Sequence, residues 1–139
     1  MDAISINTRQ EYDYVKERGY EPLIDRRFDI EIHLRLSIQQ ELFGRGHTPA
    51  ENEKFYRWCW EHKPHYCEEC MKPLAQYSAT YESHILTRGA HPAIAHDPRN
   101  VNILCFLHHN QFENIITRQN MRICFSDEKI IEKLKKEYR

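Results

Sequence analysis

The chain has 139 residues, 40% apolar and 29% charged, which allows a modest core and argues against a chain unfolded throughout. Lys and Arg total 20 against 21 Asp and Glu, a formal net charge of -1, which excludes a uniformly basic nucleic-acid binder. No apolar run approaches the ~18 residues of a membrane helix, and Met1-Asp2-Ala3-Ile4-Ser5 lacks the basic-then-apolar opening of a signal peptide, so a cytoplasmic protein is expected.

Three stretches follow one another. The first, residues 1–65, reads as an N-terminal extension of strand and helix. Phe28-Asp29-Ile30-Glu31-Ile32-His33-Leu34-Arg35-Leu36-Ser37-Ile38 alternates apolar and polar, the period of a half-buried strand. A helix competes there, because Ile30, Leu34 and Ile38 also share a helical face and Gln39-Gln40-Glu41-Leu42 favours helix. After the breakers Gly44-Arg45-Gly46-His47, Thr48-Pro49-Ala50-Glu51 is a helix start with a mechanism. Thr48 caps free amides, Pro49 suits the first helical position, and Glu51 reaches back to complete a capping box. That helix is predicted to run through Phe55, Trp58, Cys59 and Trp60 and to stop near Lys63, because Pro64 cannot continue it.

The second stretch, residues 66–119, holds a predicted strand over 77–86 that runs into the breaker-rich loop Thr87-Arg88-Gly89-Ala90-His91-Pro92 and on to Asp97-Pro98-Arg99. Asn100 to Leu104 reads as a second strand. From about Phe106 the pattern turns helical, with Leu107, Gln111, Ile115 and Arg118 on one face and His109 and Glu113 on another. In the third stretch, 120–139, Ser126-Asp127-Glu128 reads as cap and acidic first turn of an amphipathic helix over Lys129 to Lys136.

The outliers are 5 Cys and 9 His. An odd cysteine count without an export signal disfavours a disulfide framework. Cys67-Glu68-Glu69-Cys70 is a Cys-x-x-Cys knuckle, and Cys105-Phe106-Leu107-His108 repeats its two-residue gap. Two such hooks supply four ligands at tetrahedral reach, the plan of a closed structural zinc site. One hook alone is compatible with redox chemistry, and Cys105 alone with core burial. Cys59 and Cys124 have no partner at hook spacing and read as ordinary buried thiols. The aromatic group Phe55, Tyr56, Trp58, Trp60 and Tyr66 reads as core that packs the first helix onto this unit, with base stacking as the competing use.

Strand, loop, strand, helix, stapled by zinc, resembles the HNH endonucleases, the zinc-stapled branch of the His-metal-finger nucleases. The resemblance covers about residues 66–119. It rests on Cys67-x-x-Cys70, Ser83-His84-Ile85 and Asp97-Pro98-x-Asn100-Val101-x-x-Leu104-Cys105-x-x-His108-His109. The Arg-Gly loop and Asn-Val continuation look most like the phage NinG recombination-protein branch. The expected fold is therefore α+β: a small zinc-stapled ββα-metal unit with an N-terminal strand and helix extension and a C-terminal helix.

The resemblance implies a metal-dependent endonuclease that hydrolyses DNA phosphodiester bonds, in recombination or DNA processing. It implies His84 as general base, a role that suits an imidazole with an unperturbed pKa of ~6.5. Asn100 would pin the loop that orients that base. His109, with Glu113 one helical turn on, would hold a catalytic Mg2+ or Mn2+, while Cys67, Cys70, Cys105 and His108 hold Zn2+. Arg88 and Arg99 are candidate phosphate contacts, against the plainer reading of solvated loop charge.

Two positions depart from the family pattern. Ser83 stands where a cation-ligating Asp or His is common, with Glu82, His91 or His96 as candidate substitutes, although His91 and His96 read more simply as solvated. His108 stands where Cys is usual, which leaves a His108-His109 pair whose roles are exchangeable; the two-residue gap favours His108 for zinc. The implied partner is DNA, with no membrane, and a dimer or larger assembly would supply the contact area that near-neutral charge does not. The alternative is a non-catalytic zinc module that only binds nucleic acid or protein.

Overall fold

A computed structural model of the chain describes residues 4–6, 10, 13, 17 and 32–138. Among these residues it shows helices and two small two-stranded sheets, α+β in character, and the chain divides into two compact units. The first comprises Met1–Pro64 with His96–Arg99, and the second His65–Ala95 with Asn100–Arg139. The stretch after residue 120 thus belongs to the second unit, and the end of the 87–99 loop, His96–Arg99, belongs to the first.

In the first unit, strands β1 (Ile4–Ile6) and β2 (Ile32–Leu34) pair in parallel, Ile4 opposite Ile32 and Ile6 opposite Leu34. The alternation over 28–38 yields only this short strand among the described residues; residues 28–31 lie outside them. Helix α1 (Leu36–Phe43) takes over, the outcome that the helical spacing of Leu34 and Ile38 and the Gln39-Gln40-Glu41-Leu42 run favoured. The Gln39 amide, buried, donates to the Leu34 carbonyl at 2.7 Å and ties helix to strand.

Helix α2 (Pro49–His62) begins and ends where the sequence predicts. The Thr48 hydroxyl accepts from the Glu51 amide at 3.2 Å, and the Glu51 carboxylate accepts from the Thr48 amide at 3.0 Å, so the capping box is complete. These bonds, with that to Thr48 first, hold the Glu51 carboxyl below its ordinary value. The preceding turn wraps the same carboxylate. Gly44 has φ 101, a conformation that side chains rarely adopt, and a Cβ there would also run into the Glu51 carboxylate, so glycine is favoured. Phe43 meets Phe55 and Trp58 edge-on at 5.2 and 5.9 Å, which together with Leu34, Ile38 and Cys59 form this unit's core.

In the second unit, β3 (Glu82–His84) and β4 (Val101–Ile103) pair antiparallel, with Glu82 opposite Ile103, Ser83 opposite Asn102 and His84 opposite Val101. The expected order of strand, loop, strand and helix is present, but each strand is three residues long. The 77–86 stretch enters β3 through a 3-10 turn over Ala79–Tyr81, and Pro98–Asn100 forms another before β4. Helix α3 (Phe106–Glu113) follows. It does not continue to Arg118, because the Asn114 side chain caps a new short helix, α4 (Ile115–Arg118), accepting from the Ile116 and Thr117 amides. Leu107 and Ile115, spaced for a buried face, are exposed, and Phe112 is the buried apolar residue of α3.

Helix α5 (Arg122–Glu137) starts a turn earlier than Ser126 suggests. Ser126 lies inside it and donates its hydroxyl to the Ile123 carbonyl at 3.0 Å, while Asp127 accepts from the buried Asn102 amide at 2.9 Å. Its apolar face supplies Ile130 and Leu134 to a cluster with Ile85 and Ile94. No helix among the described residues is long and apolar enough to cross a membrane.

Candidate metal centre and histidine site

The Cys67-to-Cys70 hook is built by backbone geometry. Tyr66 and Pro73 form an isolated antiparallel bridge, the Cys67 amide donates to the Lys72 carbonyl, and the Met71 amide donates back to the Cys67 carbonyl at 2.8 Å. Met71 closes the turn in the left-handed region, φ 64. The Glu68 amide donates to the Ile103 carbonyl at 2.8 Å, and the Ile103 amide returns to the Glu68 carboxylate, which fixes the hook against β4. Cys105 precedes the first turn of α3, so helical geometry brings His108 back beside it.

The result is a cluster in which one donor atom each of Cys67, Cys70, Cys105 and His108 lies within 4.8 Å of every other. Cys70 and Cys105 sulfurs are 3.9 Å apart, and His108 Nδ1 is 3.2 Å from Cys105 Sγ and 3.6 Å from Cys67 Sγ. A tetrahedral zinc site has edges of roughly 3.8 Å between sulfurs and roughly 3.6 Å between sulfur and nitrogen. The donors therefore fit such an ion, and three thiols with one imidazole are the soft set that zinc accepts. Burial pushes the Cys67 thiol up to about 11. At Cys70 burial also raises the thiol, but backbone bonding at Lys72 and the neighbouring sulfurs outweigh it and hold the group below its ordinary value. None of the five cysteines is in a disulfide. Cys59 is fully buried, and Cys124 is half-buried with its thiol donating to the Arg118 carbonyl.

His84 closes β3. Its Nε2 lies 3.1 Å from the Ala95 carbonyl oxygen. A carbonyl only accepts, so Nε2 is the donor in this contact. Burial holds the imidazole below its ordinary value of 6.5 and Arg88 adds to the depression, while the Ala95 carbonyl and the Glu113 carboxylate pull the other way. Asn100 clamps the start of the loop. Its Oδ1 accepts from the Leu86 amide at 2.8 Å, its Nδ2 donates to the Leu86 carbonyl at 2.9 Å, and its own carbonyl accepts from the Ile85 amide.

On α3, His109 Nε2 is 3.4 Å from Glu113 Oε1. His109 Nδ1 is buried without a hydrogen-bond partner among the described residues. Glu113 is well exposed and acts electrostatically on His84, so these two sequence-distant groups share a neighbourhood.

Several expected residues sit elsewhere. Arg99 is 1% exposed and its guanidinium is committed to Asp97 at 2.7 and 3.1 Å, so a buried ion pair replaces the expected phosphate contact. Arg88 remains exposed. His96 is neither solvated nor placed as a cation ligand. It is buried in the first unit, its Nε2 2.8 Å from Asn52 Oδ1, its ring stacked between His47 at 4.1 Å and Phe55 at 4.9 Å. Ser83 is buried and shares a sheet face with Asn102, opposite to the face of His84, because neighbouring strand residues point to opposite faces. Phe55 and Trp58 are buried within the first unit's core, whereas Tyr56, Trp60 and Tyr66 are half-buried.

Sequence reasoning passed over Glu68 and Glu69. They look like solvated charge inside the knuckle, yet Glu69 accepts from the Arg122 and Ile123 amides at 2.8 and 3.0 Å. The available signal was Arg122 opening a helix after Met121, which offers no capping side chain. Fold and site thus define a mixed α and β chain that holds a Cys3His cluster and, at the end of β3, a histidine next to an Asn100-clamped loop. No protein-family model, curated protein or solved structure matches the chain.

Proposed function

We propose that the second unit is an HNH-type ββα-metal endonuclease that hydrolyses phosphodiester bonds in DNA, with a structural Zn2+ on Cys67, Cys70, Cys105 and His108. The observation that carries this reading is the state of His84. Its Nε2 donates to the Ala95 carbonyl and burial disfavours the charged ring, which leaves Nδ1 as the nitrogen to act as base. In this reading Nδ1 takes the proton of the attacking water, a new P–O bond forms, and the bond to the 3′ oxygen breaks, that oxygen collecting a proton from solvent. Asn100 holds the Leu86 backbone at both its amide and its carbonyl and so keeps the loop, and with it His84, in one orientation.

His109 and Glu113 are the residues to hold Mg2+ or Mn2+, an ion that supplies charge stabilisation at the scissile phosphate when bound. Arg88, exposed and near enough to depress His84, is suited to a flanking phosphate.

The direct experiment is cleavage of supercoiled plasmid with added Mg2+ or Mn2+, run beside His84→Ala. The expected result is nicking by the native protein and a loss of at least about a hundredfold in the variant, the usual contribution of a positioned general base. Equal behaviour of the two proteins supports the second reading, a non-catalytic zinc module that binds DNA or protein. The observation favouring that reading is Ser83, turned away from the His84 face and offering no cation ligand there.

A further inference from the structure

We propose that Glu69 links the Cys3His cluster to α5, so that metal binding at the hook and docking of the C-terminal helix along the His84 loop stabilise each other. The inference rests on reading the cluster as a metal centre. Helix α5 begins after Met121, whose side chain makes no cap bond, so the amides of its first turn need an acceptor from elsewhere. Glu69 supplies it, with Oε1 on the Arg122 amide at 2.8 Å and Oε2 on the Ile123 amide at 3.0 Å. A carboxylate at a helix N-terminus is also favoured by the helix dipole. Arg122 answers in the other direction, its Nη2 donating to the Glu68 and Glu69 carbonyls at 3.1 and 2.8 Å.

Glu69 stands between two of the four metal-donor residues. Its backbone is placed by the same turn, closed at Met71, that presents the Cys67 and Cys70 sulfurs. An ion on those sulfurs therefore holds the acceptor in position for α5, and a loosened hook releases it. Further along, Asn102 of β4 binds Asp127, and Ile130 and Leu134 pack with Ile85 and Ile94. Ile85 follows His84, and Ile94 precedes Ala95, whose carbonyl accepts the hydrogen bond from His84 Nε2. Helix α5 thus touches the hook at one end and both flanks of the His84 loop further along. Binding linkage is reciprocal, so whatever α5 docking gains from the ion, the ion gains from α5 docking.

The test uses the full chain loaded with Zn2+. Zinc affinity is measured by competition with a chromophoric chelator, and amide hydrogen exchange is followed along α5 and α2. The proteins are the native chain, Glu69→Ala, Glu69→Gln and, as a control, Glu132→Ala on the exposed face of α5. Glu69→Ala is expected to weaken zinc about tenfold or more, as the loss of charge-assisted bonds implies, and to speed exchange at Ile123 to Asp127. Glu69→Gln, which keeps one acceptor oxygen, falls between, and Glu132→Ala matches the native chain. Stripping zinc from the native protein speeds exchange in α5 and leaves α2 unchanged. Unaltered zinc affinity in Glu69→Ala, or α5 protection that survives metal removal, overturns the linkage alone. A purified protein that takes up no zinc overturns the metal reading and the linkage with it.

Discussion

The two units are held by different means. The first relies on aromatic packing, with Phe43, Phe55 and Trp58 in edge contacts around a helix whose start is fully capped. The second, whose strands are three residues long like those of the first, packs an apolar cluster of Ile85, Ile94, Ile130 and Leu134. It adds polar fastenings between elements: the Cys3His cluster, Asn100 on Leu86, Asn102 on Asp127 and Glu69 on α5. A unit built on buried area degrades gradually as side chains are trimmed. A polar fastening, by contrast, is lost whole when one partner is removed.

The sharpest way to break that contrast is at the cluster. Cys67→Ser with Cys105→Ser, or a strong chelator at pH 7, is expected to unfold much of the second unit, since structural zinc contributes on the order of 10 kcal/mol in small domains. Amide exchange should show α2 still protected; joint loss of both units would show that they are not separately stabilised. Next in size, Phe55→Ala removes a fully buried ring and should cost the first unit about 3–5 kcal/mol in denaturant unfolding, with zinc stoichiometry unchanged.

Asn100→Ala leaves the Leu86 amide and carbonyl without their partner, which costs roughly 1–3 kcal/mol. Under the nuclease reading it also lowers plasmid cleavage more than it lowers stability. Thr48→Ala should cost about 1 kcal/mol through the lost cap, read as a small shift in the unfolding midpoint.

The smallest effect expected is one of pH. The folded state holds His84 below 6.5, so the unfolded chain binds the proton more readily. Stability contributed by neutral His84 is then full above about pH 6.5 and is lost as the pH falls through the depressed folded value. Denaturation of native protein and His84→Gln across pH 5–8 isolates this slope, because acid release of metal from the thiols is common to both. A slope identical in the two proteins would remove the case for a His84 held below its ordinary value.

Legibility in the sequence followed the range of the interactions. The start of α2 was readable because a capping box is closed by residues three apart, and its end because Pro64 is a local veto. The cluster was readable because each hook is local and the metal's preference for four soft donors joins them without knowledge of the path between. The strands were over-read. Alternation over 28–38 and β-formers over 77–86 mark positions that fit a pleated surface, but strand length is set by how far a partner runs alongside.

The break at Asn114 was hidden by apolar spacing that spans it, although Asn as a cap is itself a local signal. Arg99 and His96 were misplaced because a loop-rich sequence suggests exposure, and burial depends on what packs over it.

Composition, capping residues and paired hooks sufficed to determine where α2 lies and which four side chains gather, and the run of β-formers that a histidine closes a strand. Tertiary structure alone decided that Arg99 is sealed against Asp97, that Ser83 faces away from His84, and that Glu69 receives a helix more than fifty residues away. The physical reason is directional: local signals record what a residue's own backbone permits. Partnership between distant charges instead depends on a chain path fixed only when the whole unit folds.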